Sequence, residues 1–63
     1  MEVYVVESHI DYQGGAVLSV FSDKELAISY ADEFEVSSFE SISVTKYLLN
    51  DTEGNSEIVF NKR

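Results

Sequence analysis

The side chains in this sequence that chemistry could use are one histidine, twelve carboxylates and a scatter of serines and threonines; cysteine is absent. His9 lies two residues from Asp11, and the pair could hold a metal weakly. A single histidine without thiolates does not make a transition-metal site. Nucleophilic catalysis needs a serine or thiol beside a base, and His9 falls in a predicted loop with no partner specified by spacing. Two carboxylates across a cleft would suit glycoside hydrolysis, but a 63-residue chain scarcely encloses a cleft. Gly14-Gly15 and Gly54 are isolated and do not form a phosphate-cradling motif. Asp51-Thr52-Glu53-Gly54 begins like a calcium loop. Counted from Asp51, however, the position that needs glycine is Ser56 and the one that needs glutamate is Lys62. These residues predict no catalytic group, no cofactor and no metal site, so a non-enzymatic protein is expected.

The remaining chemistry is charge. Twelve acids oppose four bases for a formal charge of −8, and two of the bases are Lys62 and Arg63 at the end of the sequence. Such a surface repels nucleic acid and anionic membrane, and attracts a basic protein surface. Asp23, Glu25, Asp32, Glu33, Glu35 and Glu40 are accompanied over residues 23–40 only by Lys24. On a helix, residues three or four apart sit about 5–6 Å from one another, a separation similar in scale to that of DNA phosphates. Carboxylates so displayed can occupy a DNA-binding groove, which makes the chain a candidate DNA mimic. A solvated helix face that only keeps a small protein soluble explains the same residues.

The elements that must position these groups read in order. Glu2–Glu7 is strand-like and apolar on both faces. Residues 8–15 read as a loop, and Ala16–Phe21 as a second strand completing an antiparallel hairpin. Ser22 and Glu25 have capping-box spacing, and Phe21 and Leu26 that of a hydrophobic staple, so a helix is predicted from Asp23 to about Val36. Leu26, Ala27, Tyr30, Ala31 and Phe34 form its apolar stripe, with Ile28 roughly 130° from the stripe's centre. Asp32, Glu33 and Glu35 crowd the end where the helix dipole disfavours negative charge. Val36–Ser38 connects to a long strand over Phe39–Leu49. Asn50–Asn55 is a turn, and Glu57–Phe60 a short edge strand that Lys62 and Arg63 are placed to guard.

The expected fold is a single α+β domain over residues 1–63, a two-layer sandwich of order β-β-α-β-β with one helix on one face of an antiparallel sheet. One helix covers one face. If Val3, Val5, Leu18, Val20, Ile42, Val44 and Leu48 face it, then Tyr4, Val6, Tyr47 and Val17 face outward; inverted parity is equally compatible with the pattern. Either way, large apolar groups stay uncovered, and such a patch marks an interface. Tyr4, Val6, Tyr47 and Leu49 are the expected contacts of a homodimer, unless a loop or the last strand folds over them. Dimerisation would also suit a chain whose size buries only about 60% of its unfolded surface. No apolar run reaches the ~18 residues of a membrane span, and the N-terminus lacks a signal-type core. A cytoplasmic location is expected, in the host if the gene is phage-borne.

Val3-Tyr4-Val5-Val6-Glu7, Val20-Phe21-Ser22, Glu25-x-Ala27, Tyr30-Ala31 and Tyr47-Leu48-Leu49-Asn50 together resemble a family of small ββαβ domains found in bacteria and phages. That resemblance implies a fold and no activity. Glu40-Ser41-Ile42 and Asp51-Thr52-x-Gly54-Asn55 are similar to segments of the phage uracil-DNA glycosylase inhibitors, small acidic DNA mimics. In some of those a Glu-Ser-Ile edge strand enters the glycosylase groove. This second resemblance implies a phage-type inhibitor of a nucleic-acid-binding protein, such as uracil-DNA glycosylase or a host defence factor. Its expected partner-binding residues are Ile28, Asp32, Glu33, Glu35, Glu40 and Ser41. The alternative is a homodimeric structural or regulatory domain.

Overall fold

A computed structural model describes residues 1–11 and 14–62; Gln13 of the expected loop and Arg63 of the expected edge guard lie outside them. The chain forms strands β1 (Glu2–Ile10) and β2 (Gly14–Phe21), helix α1 (Lys24–Glu33), then strands β3 (Glu40–Leu48) and β4 (Ser56–Lys62). The sheet order is β2-β1-β3-β4, and all neighbours are antiparallel. β2 and β3 therefore run in the same direction with β1 between them, and the connection through α1 crosses β1 on one face.

β1 is longer than its composition suggests. Ser8, His9 and Ile10 look like loop residues, yet they pair with Ala16, Gly15 and Gly14 on one side and with Ile42, Ser41 and Glu40 on the other. Ladder bonds on both edges outweigh weak strand propensity. Two glycines open β2 beside this extension. Gly14 has φ +85°, and a Cβ on Gly15 would collide with the Ser8 carbonyl oxygen. β3 starts one residue late: Phe39 stays exposed, and its carbonyl accepts the Asp11 N–H at 2.9 Å.

The helix also starts one residue later than the capping-box spacing predicts. Asp23, not Ser22, is the N-cap, and its Oδ1 accepts the N–H groups of Glu25 at 2.8 Å and Leu26 at 3.4 Å. A carboxylate satisfies the same orphan donors as a serine hydroxyl and adds a charge that suits the positive end of the dipole. Glu25 is then at the second helical position and closes no capping box. No staple forms with Phe21, since Leu26 is 59% exposed and the Phe21 ring meets Tyr30 instead, with centroids 5.6 Å apart. The helix stops at Glu33, with Phe34 in extended backbone as its C-cap.

The core lies between α1 and the two central strands. Ala27 and Ala31 are fully buried against Tyr4, Val6, Ile42 and Val44. The stripe is centred on these alanines, so Ile28 flanks it and packs on the core; this corrects its assignment to an outward, partner-binding position. Tyr4 and Val6 are also corrected. They sit at the same pleat level as Lys46 and Val44 on the helix side, which leaves Val3 and Val5 on the open side. Val20 is open-side too, through its pairing with Val5. Both edge strands carry a bulge, one skipping Leu18 opposite Val6/Glu7, the other skipping Val59 opposite Val44/Thr45. Each extra residue packs on the core. A bulge resets the period-two alternation, so a parity read along the sequence fails beyond it.

The two cap assignments separate cleanly by substitution. Asp23→Ala should destabilise the domain by about 1 kcal/mol, whereas Ser22→Ala should be nearly neutral. Denaturant unfolding of both variants measures the difference, and the reverse order would restore Ser22 as the cap.

Candidate functional site

The fold divides the acids that the sequence groups together. A ten-residue helix spans about 15 Å, which separates Asp23 and Glu25 from Asp32, Glu33 and Glu35. The register carries the division across the molecule. At one end of the sheet lie Glu2, the start of the helix, the Asn50–Asn55 turn and Glu57. At the other lie Asp11, the end of the helix and Glu40. Asp11 belongs to this second end because its N–H bonds Phe39. Sequence reasoning considered it only as a partner for His9, and a long-range backbone bond leaves no local signal.

At this second end Asp32, Glu33 and Glu35 are exposed, and none forms an ion pair among the described residues. Glu40 is half-buried and engaged locally. The Ser37 hydroxyl donates to its Oε1 at 2.8 Å, and its own N–H donates to the Ser37 carbonyl at 3.1 Å. Glu40 thus holds the entry to β3. Ser41 leaves the group: it stands opposite His9 on the open side of the sheet. Glu40-Ser41-Ile42 opens β3, which lies between β1 and β4 and is not an edge strand.

The cation that serves this end is withdrawn from its surface. Lys62 Nζ donates to the carbonyl oxygens of Asp32 at 2.7 Å and Phe34 at 3.3 Å. Those are orphan acceptors at the negative end of the dipole, and a lysine there offsets the acids that crowd the last turn. The conflict legible in the sequence is resolved by a residue thirty positions away. The sequence places Lys62 to guard the strand edge; in the structure its ammonium ties β4 to the end of the helix.

The opposite end is more structural. Tyr4 donates its hydroxyl to Glu2 Oε2 at 2.8 Å. That bond first, then burial and the charges of Glu2, Asp23 and Glu57, raise the phenol above its ordinary pKa. Lys46 pairs with Glu57 at 3.4 Å. The two line a depression of about 230 Å³ with Leu48, Asn55 and Ser56. That is smaller than the ~300–1,000 Å³ typical of small-molecule clefts. Asp51 closes the β3–β4 turn. Its Oδ1 accepts from the Glu53 N–H at 2.9 Å and its Oδ2 from the Asn55 N–H at 3.0 Å. The carboxylate is spent on the turn.

The sheet face away from the helix is the larger feature. Val20, Val5, Thr45 and Ile58 form one row across all four strands, and Val3, Tyr47 and Ser56 the next. The rows beyond are polar apart from Val17: Val17, Glu7, Ser43 and Asn61, then Gly15, His9 and Ser41. His9 Nε2 lies 3.1 Å from Ser43 Oγ, and no group of three potential ligands gathers for a metal among the described residues. Tyr47 and Val17 face outward here, whereas Leu49 has left the strand and donates its N–H to Met1 O at 2.9 Å. No described helix is long and apolar enough to cross a membrane. Comparison with family models, with characterised proteins and with solved structures returns no match.

Two outcomes test these assignments. Lys62→Ala should destabilise the domain by about 1 kcal/mol and loosen the amides of the last helical turn in hydrogen exchange. For Asp51, hydrogen bonds from Glu53 and Asn55 hold the carboxylate below its ordinary pKa. Its folded pKa is thus below its unfolded one, so its contribution is present at neutral pH and is lost as pH falls through the acid range. The Glu53 and Asn55 amide resonances should titrate together there, and Asp51→Asn should abolish the titration.

Proposed function

We propose that this chain is a non-enzymatic protein-binding module whose acidic end, built from Asp32, Glu33 and Glu35, occupies a basic, nucleic-acid-binding surface of another protein. The observation that carries this reading is the placement of Lys62. Its ammonium is turned onto the carbonyls of Asp32 and Phe34, so it forms no ion pair with the neighbouring carboxylates, which stay exposed. With a formal charge of −8 on the chain, the end projects a negative field toward solvent. A basic groove shaped for phosphates meets carboxylates of the same sign there, and association is steered by that field.

The reading rests on charge and not on strand insertion, since Glu40-Ser41-Ile42 begins an interior strand. Glu40 supports the site by holding the turn that leads into β3, so it is left unchanged in the test. Uracil-DNA glycosylase is one target to try, and DNA-binding defence factors are others of the same surface chemistry.

Affinity capture from bacterial lysate at low and at moderate salt tests the proposal. A basic nucleic-acid-binding protein should be retained at low salt and released as the screening length falls to about 10 Å near 0.1 M. The variant Asp32→Lys, Glu33→Lys, Glu35→Lys should lose the capture while keeping the wild-type fold by circular dichroism. Retention that ignores salt, or that survives the charge reversal, would sink the reading.

A further inference from the structure

We propose that the open face of the sheet is the interface between two copies of this chain, packed face to face. The face carries Val3, Val5, Val17, Val20, Tyr47 and Ile58. Val17, Val20 and Ile58 are 59%, 55% and 62% exposed, far more than a covered sheet face would leave them. On the side opposite α1 the row Val20, Val5, Thr45 and Ile58 is apolar on three of the four strands, and its two edge positions, Val20 and Ile58, are exposed. Contiguous patches of this kind mark interaction surfaces.

The distribution of charge identifies the occupant. A chain of net charge −8 repels itself over most of its surface. The open face is the exception: its register positions hold one carboxylate, Glu7, and no described lysine. The remaining described acids lie at the two ends of the sheet, on the helix or in the turns. A basic partner would be drawn to those ends and gains little from this neutral face. A second copy meets it with complementary chemistry, apolar row against apolar row, with the polar rows of Ser43 and His9 toward one margin.

The dimensions agree. The longer extents of the chain are 34 and 24 Å, so its broad side is bounded by on the order of 800 Å², enough to contain one partner's share of a standard interface. The core gives the energetic reason. Of its six buried apolar residues two are alanines. A domain this small gains from a second apolar layer on its uncovered side.

Sedimentation equilibrium of the purified protein decides it. The wild type should be a dimer at high micromolar concentration, with a melting temperature that rises with concentration. Val20→Glu and Ile58→Glu should each weaken the dimer by about tenfold or more. Both positions are more than half exposed, so the monomer should keep its circular dichroism spectrum. Should either variant unfold, Val20→Thr and Ile58→Thr carry the test in the same direction. Asp32→Lys, on the acidic end, should leave the dimer intact, and added salt should leave it unchanged or tighten it by screening like charges. That salt response is opposite to the one expected for target capture, so either proposal can fail without the other. A wild-type monomer at high micromolar concentration would overturn the inference. So would a dimer that survives both glutamate substitutions, since its contact would then lie elsewhere, such as the uncharged edge of β2.

Discussion

The structure depends on how closely one short helix can approach the middle of a four-stranded sheet. Ala27 and Ala31 have almost no side chain, so the α1 backbone comes down onto Tyr4, Val6, Ile42 and Val44, and all of these are buried. Everything else on that face is fitted around this contact. Phe21, Ile28, Phe34 and Phe60 form its rim, and the bulges turn Leu18 and Val59 onto it. Larger residues at the two alanine positions would lift the helix and open voids, and protein cores tolerate neither overpacking nor cavities cheaply.

A core so thin makes polar ties at the helix ends matter, one local and one long-range. Asp23 satisfies the first turn of the helix, and Lys62, from the last strand, satisfies the last. Each tie serves two purposes. Asp23 caps the helix and places a negative charge beside the Tyr4 hydroxyl. Lys62 caps the other end, and in doing so ties β4 to the helix. The acids beside it stay exposed without an ion pair among the described residues.

The two faces of the molecule are chemically distinct for the same reason. Acidic groups cluster where backbone dipoles, turns and strand ends can use or tolerate them. The open sheet face is made of strand interiors whose side chains alternate with the core. β1 is apolar on both faces over Val3–Val6, with Tyr4 and Val6 under α1 and Val3 and Val5 on the open side. The neutral face and the charged ends thus offer different chemistry on one small chain.

Much of this was legible along the chain. Local patterns predict the four strands, the helix and their order, since periodicity and turn residues act over a few positions. Residue types bear on chemistry as well, because a chain with one histidine and no cysteine offers no thiolate and no histidine pair to any fold. The tertiary structure alone decided what faces what. Side-chain parity in β2 depends on a bulge opposite Val6/Glu7, and the side of the sheet on which β1 meets the helix depends on the crossover. No local pattern carries either. The same holds for the acids: six that lie between residues 23 and 40 are separated by the length of a helix, while Asp11 and Lys62 are brought to its far end by pairing. Sequence specifies propensities over one or two turns. The partners of those residues are set by which strands meet, and that is a property of the whole chain.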